Sequence, residues 1–220
     1  MTAVSGIHLS RPALAVVALL TTAALVACGP GTTPGQPIAE QAAAATPAYV
    51  LAPPATVHGD PIVPNPTSAA AAQMTKALTQ ATSDAGVSGT PVRALYDDSA
   101  DDAWLVVLGV NGRGFDPHKM LAIYGAAPQT RIDGTGDRLT VTGVPGTAGA
   151  HGGSAVCQET VAQGGPLAVE ASVCYWLTPT TFGLVTLYPK HDGREWGFGW
   201  PATKIDALMT EVRPEVERQA

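Results

Sequence analysis

Cys157 and Cys174 stand at equal distances on either side of Gly165-Pro166. The segments that carry them, Ser154 to Val161 and Ala171 to Thr178, read as strands, with the Gly-Pro pair as the turn between. A hairpin folded at that turn sets the two cysteines directly opposite, where a cross-strand bridge is geometrically possible. The same register places Ala155 across from Trp176, a small residue leaving room for a large one. A redox-active pair wants a close Cys-X-X-Cys beside a helix N-terminus, which is absent, so the bridge reads as structural.

The rest of the folded part can be read around that hairpin. Thr67-Ser68 suits a helix start, Met74, Ala77, Leu78 and Ala81 recur at helical spacing, and Asp84-Ala85-Gly86 ends the run. Val92 to Tyr96 reads as a strand and Asp97 to Asp102 as a solvated turn; that turn lacks the alternating ligands and closing Glu of a calcium loop. Ala103 to Val110 is nearly continuous in apolar residues, which predicts a strand covered on both faces. Asp116 as cap, Pro117 in the first turn and Gly125 as stop frame a second helix, with Met120, Leu121, Ile123 and Tyr124 on its buried side.

Asp133 to Asp137 is a hairpin turn and not a phosphate loop, because a strand (Arg138 to Thr142) follows where a helix is needed. Gly143 to Gly153 is expected to be a mobile loop, Thr181 to Tyr188 a strand, and Lys190 to Gly193 a turn. A last helix starts near Ala202, with Ile205, Leu208, Met209, Val212 and Val216 on one stripe; Thr203 and Asp206 have capping-box spacing, and Pro214 should kink or end it. The order predicts an α+β fold: an antiparallel sheet of about five to six strands, helices mainly on one face, and one disulfide.

The N-terminus carries an address. After Arg11 the chain runs apolar from Pro12 to Ala27 and is broken by Gly29-Pro30, too short for a spanning helix of roughly 20 residues. The Leu25-Val26-Ala27-Cys28 sequence resembles the lipobox of bacterial lipoproteins. That resemblance implies cleavage before Cys28, a diacylglyceryl thioether on its sulfur, and a mature protein lipid-anchored at the outer face of the cell membrane. Two or more acyl chains hold without a basic patch, and no Lys or Arg lies between Arg11 and Lys76. With Cys28 lipidated, the chain's 3 cysteines leave Cys157 and Cys174 as one pair in an oxidising compartment. Residues 1–27 are then the signal peptide, 28–66 a Pro/Ala/Gly/Thr-rich tether too poor in apolar residues to fold, and 67–220 a single extracytoplasmic domain.

A net charge of -6 argues against nucleic acid as a partner, since that binding rests on clustered Lys and Arg. No catalytic, cofactor or metal motif is found: Gly152 to Val156 is not a nucleophile elbow, and His58, His118, His151 and His191 lack ligands at tell-tale spacing. Glu215 and Glu217 read as a solvated acid pair on the closing helix. One pattern stands out. In an extended segment Trp196, Phe198 and Trp200 share a face, which suits either a stacking platform for a sugar ring or apolar peptide, or packing against the core, the reading that aromatic side chains favour.

Gly152-Gly153-Ser154-Ala155-Val156-Cys157, Cys174-Tyr175-Trp176, Phe182-Gly183-Leu184-Val185, and Met209 with Arg213 and Glu217 together resemble a group of uncharacterised actinobacterial secreted and membrane-anchored proteins. The likeness covers roughly the last third of the chain, and Pro214 departs from its smooth closing helix. It implies the fold and the disulfide and brings no activity. The expectation is therefore a non-enzymatic, membrane-anchored domain binding a wall polymer, partner protein or small ligand. The alternatives are a wall-active hydrolase and a purely structural envelope lipoprotein.

Overall fold

The two strands that carry the cysteines pair along their whole length, and the sheet grows outward from them. In the computed structural model the described residues are 48–125, 128–132, 136–164, 167–190 and 199–220, all inside one unit, Ala45–Ala220. In chain order the elements are β1 (Tyr49–Leu51), β2 (Thr56–Val57), β3 (Asp60–Pro61), α1 (Ser68–Ala85), β4 (Thr90–Asp98), β5 (Ala103–Asn111), α2 (Pro117–Tyr124), β6 (Gln129–Ile132), β7 (Arg138–Pro145), β8 (Ser154–Gly164), β9 (Leu167–Leu177), β10 (Thr181–Pro189), α3 (Ala202–Val216) and β11 (Glu217–Gln219). Seven strands form one sheet in the order β4-β5-β10-β9-β8-β7-β6. Every neighbouring pair is antiparallel. Cys157 faces Cys174 and Ala155 faces Trp176, as the spacing predicts, and the cysteines are joined with their Cα atoms 4.0 Å apart.

The helices do not share a face, which corrects the expectation of one-sided packing. Successive residues of a strand point to opposite sides, and the sheet is apolar on both. Leu105, Val107, Cys157, Cys174, Trp176 and Val185 meet Ile205, Met209 and Val212 of α3 on one side. Leu95, Leu108, Val156, Tyr175, Phe182 and Leu184 meet Met74 and Leu78 of α1 and Met120 and Tyr124 of α2 on the other. Local signals place the helix ends: Thr67 accepts from the Ala70 amide and Gly86 adopts φ 62° at the end of α1, while Asp116 caps α2 ahead of Pro117. Leu121 and Ile123, expected on the buried side of α2, are exposed. Pro214 lies inside α3, which ends two residues later, and the expected Thr203–Asp206 capping box is absent: no side chain caps α3, and Asp206 instead accepts from the amide and hydroxyl of Thr147.

The domain also starts earlier than residue 67. β1 pairs with β11 at the far end of the chain, and the Asn111 amide clamps it, accepting from Leu51 N at 2.7 Å and donating to Leu51 O at 3.0 Å. Gly109 beneath makes this approach possible, because a Cβ there would lie 2.4 Å from Leu51 Cδ1. His58 and Gly59, with φ of 54° and 87°, form the tight turn between β2 and β3, and Ile62 bridges to Tyr96. Residues 48–66 therefore belong to the folded unit, and the tether expected over 28–66 loses that portion; the signal peptide, Cys28 and the remainder of the tether lie outside the described residues.

Candidate functional site

α1 covers the sheet with a helix side that is too small to fill the space beneath it. Ala70, Ala77 and Ala81 face the sheet beside the larger Met74, and a cleft of about 900 Å³ remains between them and Trp104, Val106, Leu108, Val173, Tyr175 and Leu184. That volume lies in the range that holds small ligands, roughly 300–1,000 Å³. At one end Lys190 sits over the Trp104 ring, 5.0 Å from its centroid, and is already paired with Asp97. At the other end Asp84, Tyr124 and Gln158 also border a neighbouring chamber of about 470 Å³. The second chamber mixes polar and apolar walls, with Gln129, Thr130 and Arg131 of β6 beside Ile123 of α2 and Val141 and Gly143 of β7. Tyr124 and Tyr175 stack where the chambers meet, ring centroids 4.3 Å apart. Their hydroxyls donate to Ala81 O at 2.9 Å and to Gln158 Oε1 at 3.4 Å. Burial, with the Asp84 carboxylate adding to it, raises both phenols, which stay neutral donors at physiological pH.

On α3's side the chain closes around a buried acid. Glu217, expected on a solvated helix face, is 0% exposed and opens β11 instead. Its carboxylate accepts from Arg213 Nε at 2.7 Å and Trp176 Nε1 at 3.2 Å, and from the Thr181 hydroxyl. His151 Nδ1 lies 3.0 Å from Glu217 Oε2, and its ring stacks on Tyr49 of β1. The Arg213 guanidinium also donates to Ala148 O and to Gly152 O. The glycine-rich loop after β7, expected to be mobile, is held by these bonds and by Asp206. The cluster ties both chain ends of the unit together through β1 and β11.

A pair of carboxyls, Glu159 and Glu170, lies beside the start of α3, where Glu159 Oε2 is 3.5 Å from Ala202 N. Burial, followed by the charge of neighbouring Glu159, raises the Glu170 carboxyl above the ordinary 4.5. Among the described residues, Glu170 Oε1 and the Ser172 hydroxyl have no partner. The pair has a consequence for stability. A carboxyl that titrates higher in the native state than in the unfolded one keeps its proton longer, so its contribution is present at low pH and lost as pH rises through the raised value. Glu170→Gln is expected to flatten the fall in melting temperature as pH rises above the ordinary carboxyl range. Parallel melting-temperature curves for the variant and the wild type would refute this.

Of the residues singled out by sequence, the fold brings Cys157 and Cys174 together; with their sulfurs joined, and Asp206 beside them, they offer no thiolate to a metal. Trp200 is half-buried and packs on α3's core, with Lys204 Nζ 5.9 Å from its ring centre. Trp196, Phe198 and His191 lie outside the described residues. His118 is exposed, and His58 pairs with Glu211 at 2.6 Å. The cleft is the feature that sequence reading missed; its available signal was the alanine side of α1 over a strand rich in large residues. Among the described residues no helix is long and apolar enough to cross a membrane. No protein-family model, curated protein or solved structure matches the chain.

Proposed function

We propose that this chain is a lipid-anchored extracytoplasmic binding protein, non-enzymatic, that holds an apolar ligand between α1 and the sheet. The observation that carries the reading is the cleft of about 900 Å³, lined mainly by apolar side chains with a smaller number of polar groups, the composition expected of a ligand site. The Leu25-Val26-Ala27-Cys28 sequence supports the anchor and the outer-face location. Residues 28–48 can reach at most roughly 70 Å when fully extended, which keeps the domain close to the membrane. A wall polymer or partner protein held by Trp196, Phe198 and Trp200 has less support, because Trp200 packs against the core.

The test uses the full chain made in a bacterial host. Native protein should sediment with membranes and Cys28→Ser should not. Detergent-solubilised native protein, exchanged into buffer, should bind the neutral dye Nile red saturably with a blue-shifted emission. Ala77→Trp fills the cleft from an exposed helix position, and should weaken dye binding at least about tenfold, the loss of a pocket contact worth about 1.4 kcal/mol or more, without lowering the melting temperature. Dye binding that is unsaturable, or equal in Ala77→Trp, would sink the cleft reading.

A further inference from the structure

We infer that the ligand of this cleft is an acyl-chain amphiphile with a zwitterionic head group, its tail under α1 and its phosphate and ammonium in the second chamber beside Arg131 and Asp84. The inference rests on the cleft reading above and adds the head group. Three observations support it. The apolar cleft borders a second chamber, with Asp84, Tyr124 and Gln158 lining both and Gln129, Thr130 and Arg131 adding polar side chains to the second, so a ligand with an apolar and a polar end finds matching surroundings for each. Charge in that chamber is of both signs. Arg131 projects from an edge strand whose four residues are all exposed, and it makes no hydrogen bond or ion pair among the described residues. Asp84, on the last turn of α1, is held by Gln80 Nε2 at 2.8 Å.

A purely anionic head group attracted to Arg131 would meet the Asp84 carboxylate, and a purely cationic one the guanidinium. A phosphate with a short-linked ammonium satisfies both. The guanidinium is suited to a phosphate, presenting a planar fork of donors. The opposite end of the cleft is unsuited to a head group, since Lys190 is bonded to Asp97 and to Asp98 O and covers the Trp104 ring.

The experiment is displacement of Nile red from the full-length protein by four probes of equal chain length, each below its micelle threshold: 1-palmitoyl lysophosphatidylethanolamine, palmitate, hexadecylamine and hexadecanol. The zwitterion is expected to displace the dye at a concentration at least about tenfold lower than the other three. Arg131→Ala and Asp84→Asn should each shrink that advantage to about threefold or less, with each probe's displacement referred to that variant's own Nile red affinity. Equal displacement by all four probes, or an advantage that survives both substitutions, overturns the head-group inference and leaves the cleft reading standing. Failure of Nile red to bind overturns both.

Discussion

Glu217→Ala is expected to lower the unfolding free energy by about 3–5 kcal/mol, the cost of leaving one partner of a buried ion pair alone. The side chain has no exposure, and four donors converge on it. Without the carboxylate, Arg213, itself buried, keeps only the carbonyls of Ala148 and Gly152. Trp176 Nε1 loses the acceptor it has in this fold, whereas the Thr181 hydroxyl keeps Thr178 Oγ1 at 2.7 Å. An unpaired guanidinium in the core is the largest part of the loss, because its desolvation is no longer offset. Arg213→Ala should cost a similar amount for the converse reason. Replacing both, as Arg213→Met with Glu217→Leu, should cost clearly less than the sum of the single losses, since no charge is then left uncompensated. Urea unfolding of the four proteins forms a double-mutant cycle. Losses that simply add, or a Glu217→Ala loss under about 1 kcal/mol, would show that the carboxylate is solvated or replaceable.

That Glu217 was unreadable from sequence has a definite cause. The apolar stripe of α3 runs to Val216, and a periodic pattern gives no sign that the next residue begins a strand. What buries Glu217 comes from far along the chain: Trp176 and Thr181 from β9 and β10, and Tyr49 and His151 over its open side. The same distance explains the misjudged boundary. Residues 48–66 are punctuated by prolines at 53, 54, 61, 64 and 66, which read as a spacer, yet Leu51 and Val57 are buried and Ile62 partly so, packed on elements the local sequence does not reveal. What was legible was local. The cysteine register, Ala155 opposite Trp176, the caps at Thr67 and Asp116 and the αL glycine at position 86 follow from spacing and residue type.

The side on which each helix packs lies between these cases. A helix's stripe tells which of its sides is buried and is silent on which face of the sheet receives it. The continuous apolar run of β5 nevertheless carries the answer in outline. A strand covered on both faces needs cover on both, and the one-sided helix layer was at odds with it. The cleft was harder to foresee. It arises from a mismatch of side-chain size between α1 and the strands beneath, and a helical pattern of alanines reads equally well as close packing.

Removing the bridge with Cys157→Ala and Cys174→Ala together is expected to cost about 3 kcal/mol, the closure entropy of a loop of this size, for a sequence separation of 17 residues. Both changes are needed, because a single free thiol invites intermolecular exchange. The native structure should change little, as β8 and β9 stay paired from Ser154–Leu177 to Gly164–Leu167, so the effect falls mainly on the unfolded chain. That assigns the prediction a second signature. An unfolded state without the cross-link exposes more surface, and the urea m-value should rise as stability falls. Both sulfurs are wholly buried, between the sheet and α3 near Ala202 O and Asp206. Under native conditions dithiothreitol should therefore reduce the bond only as fast as the hairpin opens, and rapidly once urea is added. A loss under about 1 kcal/mol with an unchanged m-value would mean that the hairpin persists in the denatured ensemble, and that its turn and strand pairing, without the sulfur bridge, hold the register.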